Sequence, residues 1–134
     1  MGDRGTKSKG ERDLMEKPHK RLKAWQLSMD IALDVYKISD KFPSDERFGL
    51  VSQVRRCGVS VPSNIAEGAA RNTKKEFVNF LHIAQGSLSE LDTQLELAKR
   101  LEFIDEITWK RLDDKLVEED KVLSGLIKSQ REAI

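Results

Sequence analysis

The sequence predicts an all-α protein, an antiparallel up-down four-helix bundle, and three observations carry that expectation. Hydrophobic residues make up 38% of the 134 residues and charged residues 35%. That is less apolar and more charged than an average globular domain, at about 45% and 25%, and it suits long helices with one face in water. Three prolines and eight glycines are too few to punctuate an all-β chain, which needs a turn every ten residues or so. Finally, apolar residues recur at spacings of three and four along four long segments joined by short connections. The length suits one domain with one core.

The elements follow in chain order. Residues 1–21 are expected to form a disordered basic leader, and 1–17 lack apolar periodicity altogether. Met15 offers an alternative start, and Pro18 marks the boundary. The bundle domain then spans residues 22–134. Helix one is expected from about Leu22 to Lys41. Trp25, Met29, Ala32 and Tyr36 form one apolar stripe, with Ile31, Val35, Ile38 and Phe42 beside it. Together they cover roughly 220° of the helix, where a one-sided surface helix needs about 100°. Such a helix must be covered on two sides. Pro43 closes it, and Ser44 is a candidate cap for the next.

Helix two is expected from about Asp45 to Ala70, with Phe48, Val51, Val54, Val59, Ile65, Ala66 and Ala69 inward and a kink at Pro62. In helix three, Thr73 and Glu76 make a capping box. Phe77, Leu81, Ala84, Leu88, Leu91, Leu95 and Ala98 then alternate spacings of four and three. Asp105 caps helix four, which carries Trp109, Leu112, Leu116, Leu123, Leu126 and Ile127 to about Gln130.

The net charge of +1 gives the monomer no bulk positive field for nucleic acid, but its distribution is uneven. Residues 1–23 carry +4, 24–40 carry −2, 41–75 carry +4 and 76–134 carry −5. A single cysteine, Cys57, excludes an internal disulfide, and the two histidines lack zinc-ligand spacing. The paired ExxH pattern of a bundle metal centre is missing. No cofactor is therefore expected. Cys57 lies off the apolar stripe with nothing to activate its thiol, and His82, Glu90, Asp92 and Glu96 read as solvated positions. No apolar run reaches membrane-spanning length and no signal peptide is visible, so a cytoplasmic location without membrane association is expected.

Two constellations stand out. On a helical wheel Gln53, Arg56, Ser60, Asn64, Glu67 and Arg71 fall on one line, either a solvated face or a contact surface. Its short hydrogen-bonding side chains distinguish it from a Lys/Glu-rich wet face. Arg55 projects into the apolar side of helix two, while Glu119 and Asp120 flank the stripe of helix four. A structural ion pair between Arg55 and Glu119 or Asp120 is the economical reading.

The segments QVRRCGVSVPSNIAEGAAR and KKEFVNFLHIAQGSLSELDTQLELAKRLEFI, with the KAW opening of helix one and the SGLIKS ending of helix four, resemble the 23S rRNA intervening-sequence proteins over about Leu22 to Gln130. The resemblance implies a bacterial four-helix bundle that assembles as a ring-shaped homopentamer and has no established enzymatic activity. That family is similar in fold to the accessory variability determinant of diversity-generating retroelements, a pentamer that engages reverse transcriptase and nucleic acid.

The functional expectation is a non-catalytic homo-oligomer whose basic surface binds RNA, DNA or a nucleoprotein partner such as a reverse transcriptase. Oligomerisation multiplies a basic patch that one copy is too weakly charged to offer. Lys17, Lys20, Arg21, Lys23, Arg56, Arg71, Lys74 and Lys75 are the candidates. The rival expectation is a protein-interaction adaptor with no nucleic-acid role, using the polar stripe and the acidic fourth helix.

Overall fold

A computed structural model describes residues 17–134; the expectation for residues 1–16 lies outside the described residues. Four helices make the body: α1 (Lys23–Ser39), α2 (Leu50–Ala69), α3 (Lys74–Arg100) and α4 (Glu106–Glu132). The described residues contain no strand. A 27-residue helix such as α3 is about 40 Å long, whereas the four residues between α2 and α3 reach at most ~14 Å. The chain therefore turns back on itself. Each helix packs against its sequence neighbours and α1 closes on α4, so α1 stands diagonal to α3 and α2 to α4.

The α3 seam is buried as its spacing demands. Leu81, Ala84, Leu88, Leu91, Leu95 and Ala98 meet Ile31, Val35, Val54, Val61 and Ile65 from the first pair, and Leu112, Leu116, Leu123 and Ile127 from α4. Thr73 Oγ1 accepts from the Glu76 N–H at 3.1 Å and donates to the Glu76 carboxylate at 2.9 Å. Asp105 accepts from the Thr108 N–H at 2.8 Å, which holds its carboxyl below the ordinary range.

The second helix differs from expectation at its start. Ser44–Glu46 form a separate 3-10 turn, and α2 begins only at Leu50, with Gly49 at its N-cap. The cap is not Ser44: the Glu46 carboxylate reaches forward to take the Leu50 N–H at 3.1 Å. Phe48 consequently lies in the turn, out of phase with the helix, and is 92% exposed instead of inward. Val59 is also exposed. Helix α2 runs through Pro62 without interruption. Near its end Gly68 is required, because a Cβ there would stand 2.7 Å from Phe80 Cβ. That contact sets how closely α2 and α3 approach.

Ahead of α1, Pro18–Arg21 form a 3-10 turn that packs on α1 and α2. The His19 ring meets Trp25 edge-on, with centroids 5.0 Å apart, and the Lys20 carbonyl accepts from Gln26 Nε2 at 2.8 Å.

Candidate interaction surfaces

Antiparallel packing brings two distant basic segments to one end of the bundle. The start of α1 lies beside the end of α2, since Trp25 and Ala66 line one groove. Lys17, Lys20, Arg21 and Lys23 thus share that end with Arg71, Lys74 and Lys75 of the α2–α3 turn. All seven are exposed. The end of α4 joins them, its Arg131 guanidinium 2.8 Å from His82 Nε2. Lys74 and Lys75 occupy the first turn of α3, where the positive helix end disfavours cations. Their placement works against helix stability. Arg71 pairs with Glu67 at 2.9 Å and lies over the Phe80 ring. Lys23 holds a loose, exposed pair with Glu118 at 3.5 Å. Arg56 does not join the group. It lies mid-helix on α2, beside the Arg47 and Phe48 turn.

The polar stripe divides into an interior and two ends. Ser60 Oγ meets Ser87 Oγ of α3 at 2.8 Å, and Asn64 Nδ2 donates to the Ser60 carbonyl and hydroxyl at 2.8 and 3.0 Å. These residues are half-buried in the α2–α3 seam. Gln53, Arg56, Glu67 and Arg71 remain exposed. Cys57, expected off the core, belongs to the same seam: it is buried and donates to the Glu90 carboxylate at 2.8 Å. Burial, then Glu90, push its thiol up to about 11, so it stays protonated. Asp92 is exposed as expected, its carboxyl raised by partial desolvation and by Asp113.

The expected ion pair of Arg55 with Glu119 or Asp120 does not form. Arg55 sits on α2 and the two acids on α4, and those helices are diagonal. Arg55 instead leans on α1. Its Nε donates to Ser39 Oγ at 2.9 Å and an Nη to the Tyr36 carbonyl at 3.3 Å, with the guanidinium 4.6 Å from the Tyr36 ring centroid. Asp40 stands 3.9 Å away. Asp120 is exposed and accepts from Gln85 at 3.3 Å. Glu119 is fully buried with neither carboxylate oxygen hydrogen-bonded. Desolvation, reinforced by Glu118, pushes its carboxyl up to about 8, so it is mainly neutral at pH 7.

The wide apolar arc of α1 splits between two environments. Ile31, Val35 and Phe42 enter the core. The other stripe opens outward onto a groove of about 500 Å³ between α1 and α2, where Trp25, Met29, Leu33, Tyr36, Val59 and Pro62 face one another. Leu33 is 56% exposed. Continuing along the same face, Tyr36 and Val59 also border the hollow at Phe48. Sequence reasoning missed Phe48, whose phase depends on where α2 starts. Among the described residues, no group of three His, Cys, Asp or Glu is placed to hold a metal, and no helix is long and apolar enough to cross a membrane.

A four-helix bundle with one basic end and one uncovered apolar face defines the class of protein. The chain belongs to the 23S rRNA-intervening sequence protein family, whose family model matches residues 20–125. It is similar to a protein of unknown function from the S23 ribosomal protein family of Bacteroides thetaiotaomicron, solved by crystallography, at 25% identity and a TM-score of 0.73. The similarity covers 78% of this chain and 95% of that one. No curated protein matches the chain.

Proposed function

We propose that this protein is a non-catalytic homo-oligomer, a ring of five copies, that binds RNA or a nucleoprotein partner through its basic end. The observation that carries the reading is the convergence of Lys17, Lys20, Arg21 and Lys23 with Arg71, Lys74 and Lys75. Two segments separated by some fifty residues supply one surface. Phosphate contacts at such a surface release counterions, and repetition around a ring strengthens a patch that one copy with net charge +1 holds weakly. The apolar groove of α1 and α2 supports the assembly, because an exposed stripe of Met29, Leu33, Tyr36 and Val59 gains by covering itself with a second copy. The number five comes from family resemblance.

Two measurements test this. Light scattering at micromolar concentration should give a multiple of the chain mass, and Leu33→Glu should reduce it to one copy while circular dichroism stays helical. A monomeric wild type removes the ring. Single-stranded RNA titrated at about 50 mM salt should bind with a steep salt dependence and little sequence preference. Lys74→Glu with Lys75→Glu should weaken that binding without altering mass. Absence of binding at low salt transfers the function to the adaptor reading, with the exposed ends of the polar stripe as its first surface.

A further inference from the structure

At the end of the bundle opposite the basic surface, α1, α4 and the turn before α4 line a cleft of about 500 Å³. The size falls within the range of small-ligand sites, roughly 300 to 1,000 Å³. Ile38, Phe103, Ile104 and Leu112 give it an apolar floor, and the Phe103 ring is braced by Phe42 at 5.6 Å between centroids. Lys37, Lys41, Arg111 and Lys115 stand around this floor, with Asp34 and Asp105 the acids among the lining residues.

Both acids are already engaged. Asp34 takes the Lys115 ammonium at 2.6 Å, and Asp105 caps α4 through the Thr108 N–H. Among the described residues Lys37, Lys41 and Arg111 form no ion pair within 4 Å. Four cations against two carboxylates leave the cleft at +2, more than the whole chain's +1. Arg111 is partly balanced by Asp105, whose carboxyl it helps to lower, and the net +2 around an apolar floor is matched by a ligand with a dianionic head and a flat apolar body. A phosphate monoester carries about −1.5 to −2 near neutral pH, whereas an internal phosphodiester carries one charge.

We propose that this cleft binds a nucleoside monophosphate, free or as the 5′-phosphorylated terminal nucleotide of an RNA strand. The phosphate lies among Lys37, Lys41 and Arg111, and the planar base lies over Phe103 and Ile38. The cations hold the phosphate and the apolar floor holds the ring, so the site reads phosphate and ring rather than base identity. The proposal is independent of the basic end, which has its own residues.

Calorimetric titration of the full chain with adenosine and uridine 5′-monophosphate, at about 50 mM salt, tests it. Both should bind with similar affinity, and adenosine without phosphate should not saturate. Arg111→Ala and Lys41→Ala should each weaken binding by roughly tenfold or more, and Arg111→Lys should restore part of the loss. Lys74→Glu with Lys75→Glu should leave it unchanged. A 5′-phosphorylated oligoribonucleotide that displaces the mononucleotide, where its 5′-hydroxyl counterpart does not, marks a terminal nucleotide as ligand; no displacement by either marks the free mononucleotide. Absence of saturation at about 10 mM mononucleotide overturns the site. Equal affinity for inorganic phosphate overturns the role of the floor, and binding unchanged in Arg111→Ala and Lys41→Ala places the ligand elsewhere. RNA binding lost in those two variants without any mononucleotide binding also overturns the proposal, assigning these cations to a broader RNA surface.

Discussion

Between α2 and α3, Cys57 is buried against Glu90 and half-buried Ser60 meets Ser87, while on α4 Glu119 is buried with no partner for either oxygen. The α2–α3 seam leaves one acceptor unmatched, the neutral Gln94 Oε1. Helix α4 leaves an entire carboxyl. Polar groups cost little in an interior when the facing helix supplies a donor or acceptor, and a great deal when it does not. The seam keeps its hydroxyls by pairing them, and α4 keeps its carboxyl by protonating it.

The largest expected effect comes from ionising Glu119. Its folded pKa of about 8 lies above the unfolded value, so its share of stability is fully present below the unfolded pKa and is lost as pH rises through the folded one. Denaturation midpoints should show wild-type stability falling by about 2 kcal/mol between pH 6 and 8. Glu119→Gln should remove that slope, and Glu119→Leu should raise stability most at alkaline pH. An unchanged slope in Glu119→Gln would break the contrast with the seam.

Next in size is Gly68→Ala, which drives a Cβ into Phe80 and should cost about 1 to 2 kcal/mol by overpacking. At Gly125 on α4 nothing lies within 4 Å of the added atom, so Gly125→Ala should instead stabilise by about 0.5 to 1 kcal/mol. Thermal unfolding of the two variants compares the tight seam with an open surface. Arg55→Ala loses hydrogen bonds to Ser39 and the Tyr36 carbonyl and should cost about 1 to 2 kcal/mol. A buried ion pair would have cost about 3 to 5. The smallest loss sharpens the comparison most. Ser60→Ala strands Ser87 and should cost about 1 kcal/mol, and adding Ser87→Ala should recover part of that.

How much of this was legible in the sequence depended on whether the deciding interaction was local. Caps at Thr73 and Asp105 and the α3 seam were readable because a residue and its partner lie within one turn or one repeat. The start of α2 was not, since Glu46 caps it from a separate 3-10 turn and a shift of a few residues re-aims Phe48. A helical wheel locates the Arg55 charge on a face but not the helix that face meets, and up-down order makes α2 and α4 diagonal, which removes α4 as its partner. Segregation of charge was visible in the sequence as blocks. Their convergence at one end needed the packing of α1 against α2.

The chain's lone thiol, Cys57, is protonated and enclosed between α2 and α3, which makes it a clock for that seam. A thiol reagent reacts with the thiolate, and from this position it finds one only when the two helices part. Labelling at a fixed pH therefore counts openings in the manner of a slowly exchanging amide. With no other cysteine in the chain to blur the signal, one rate measured with and without RNA would tell whether a ligand at the bundle's end is felt at its centre.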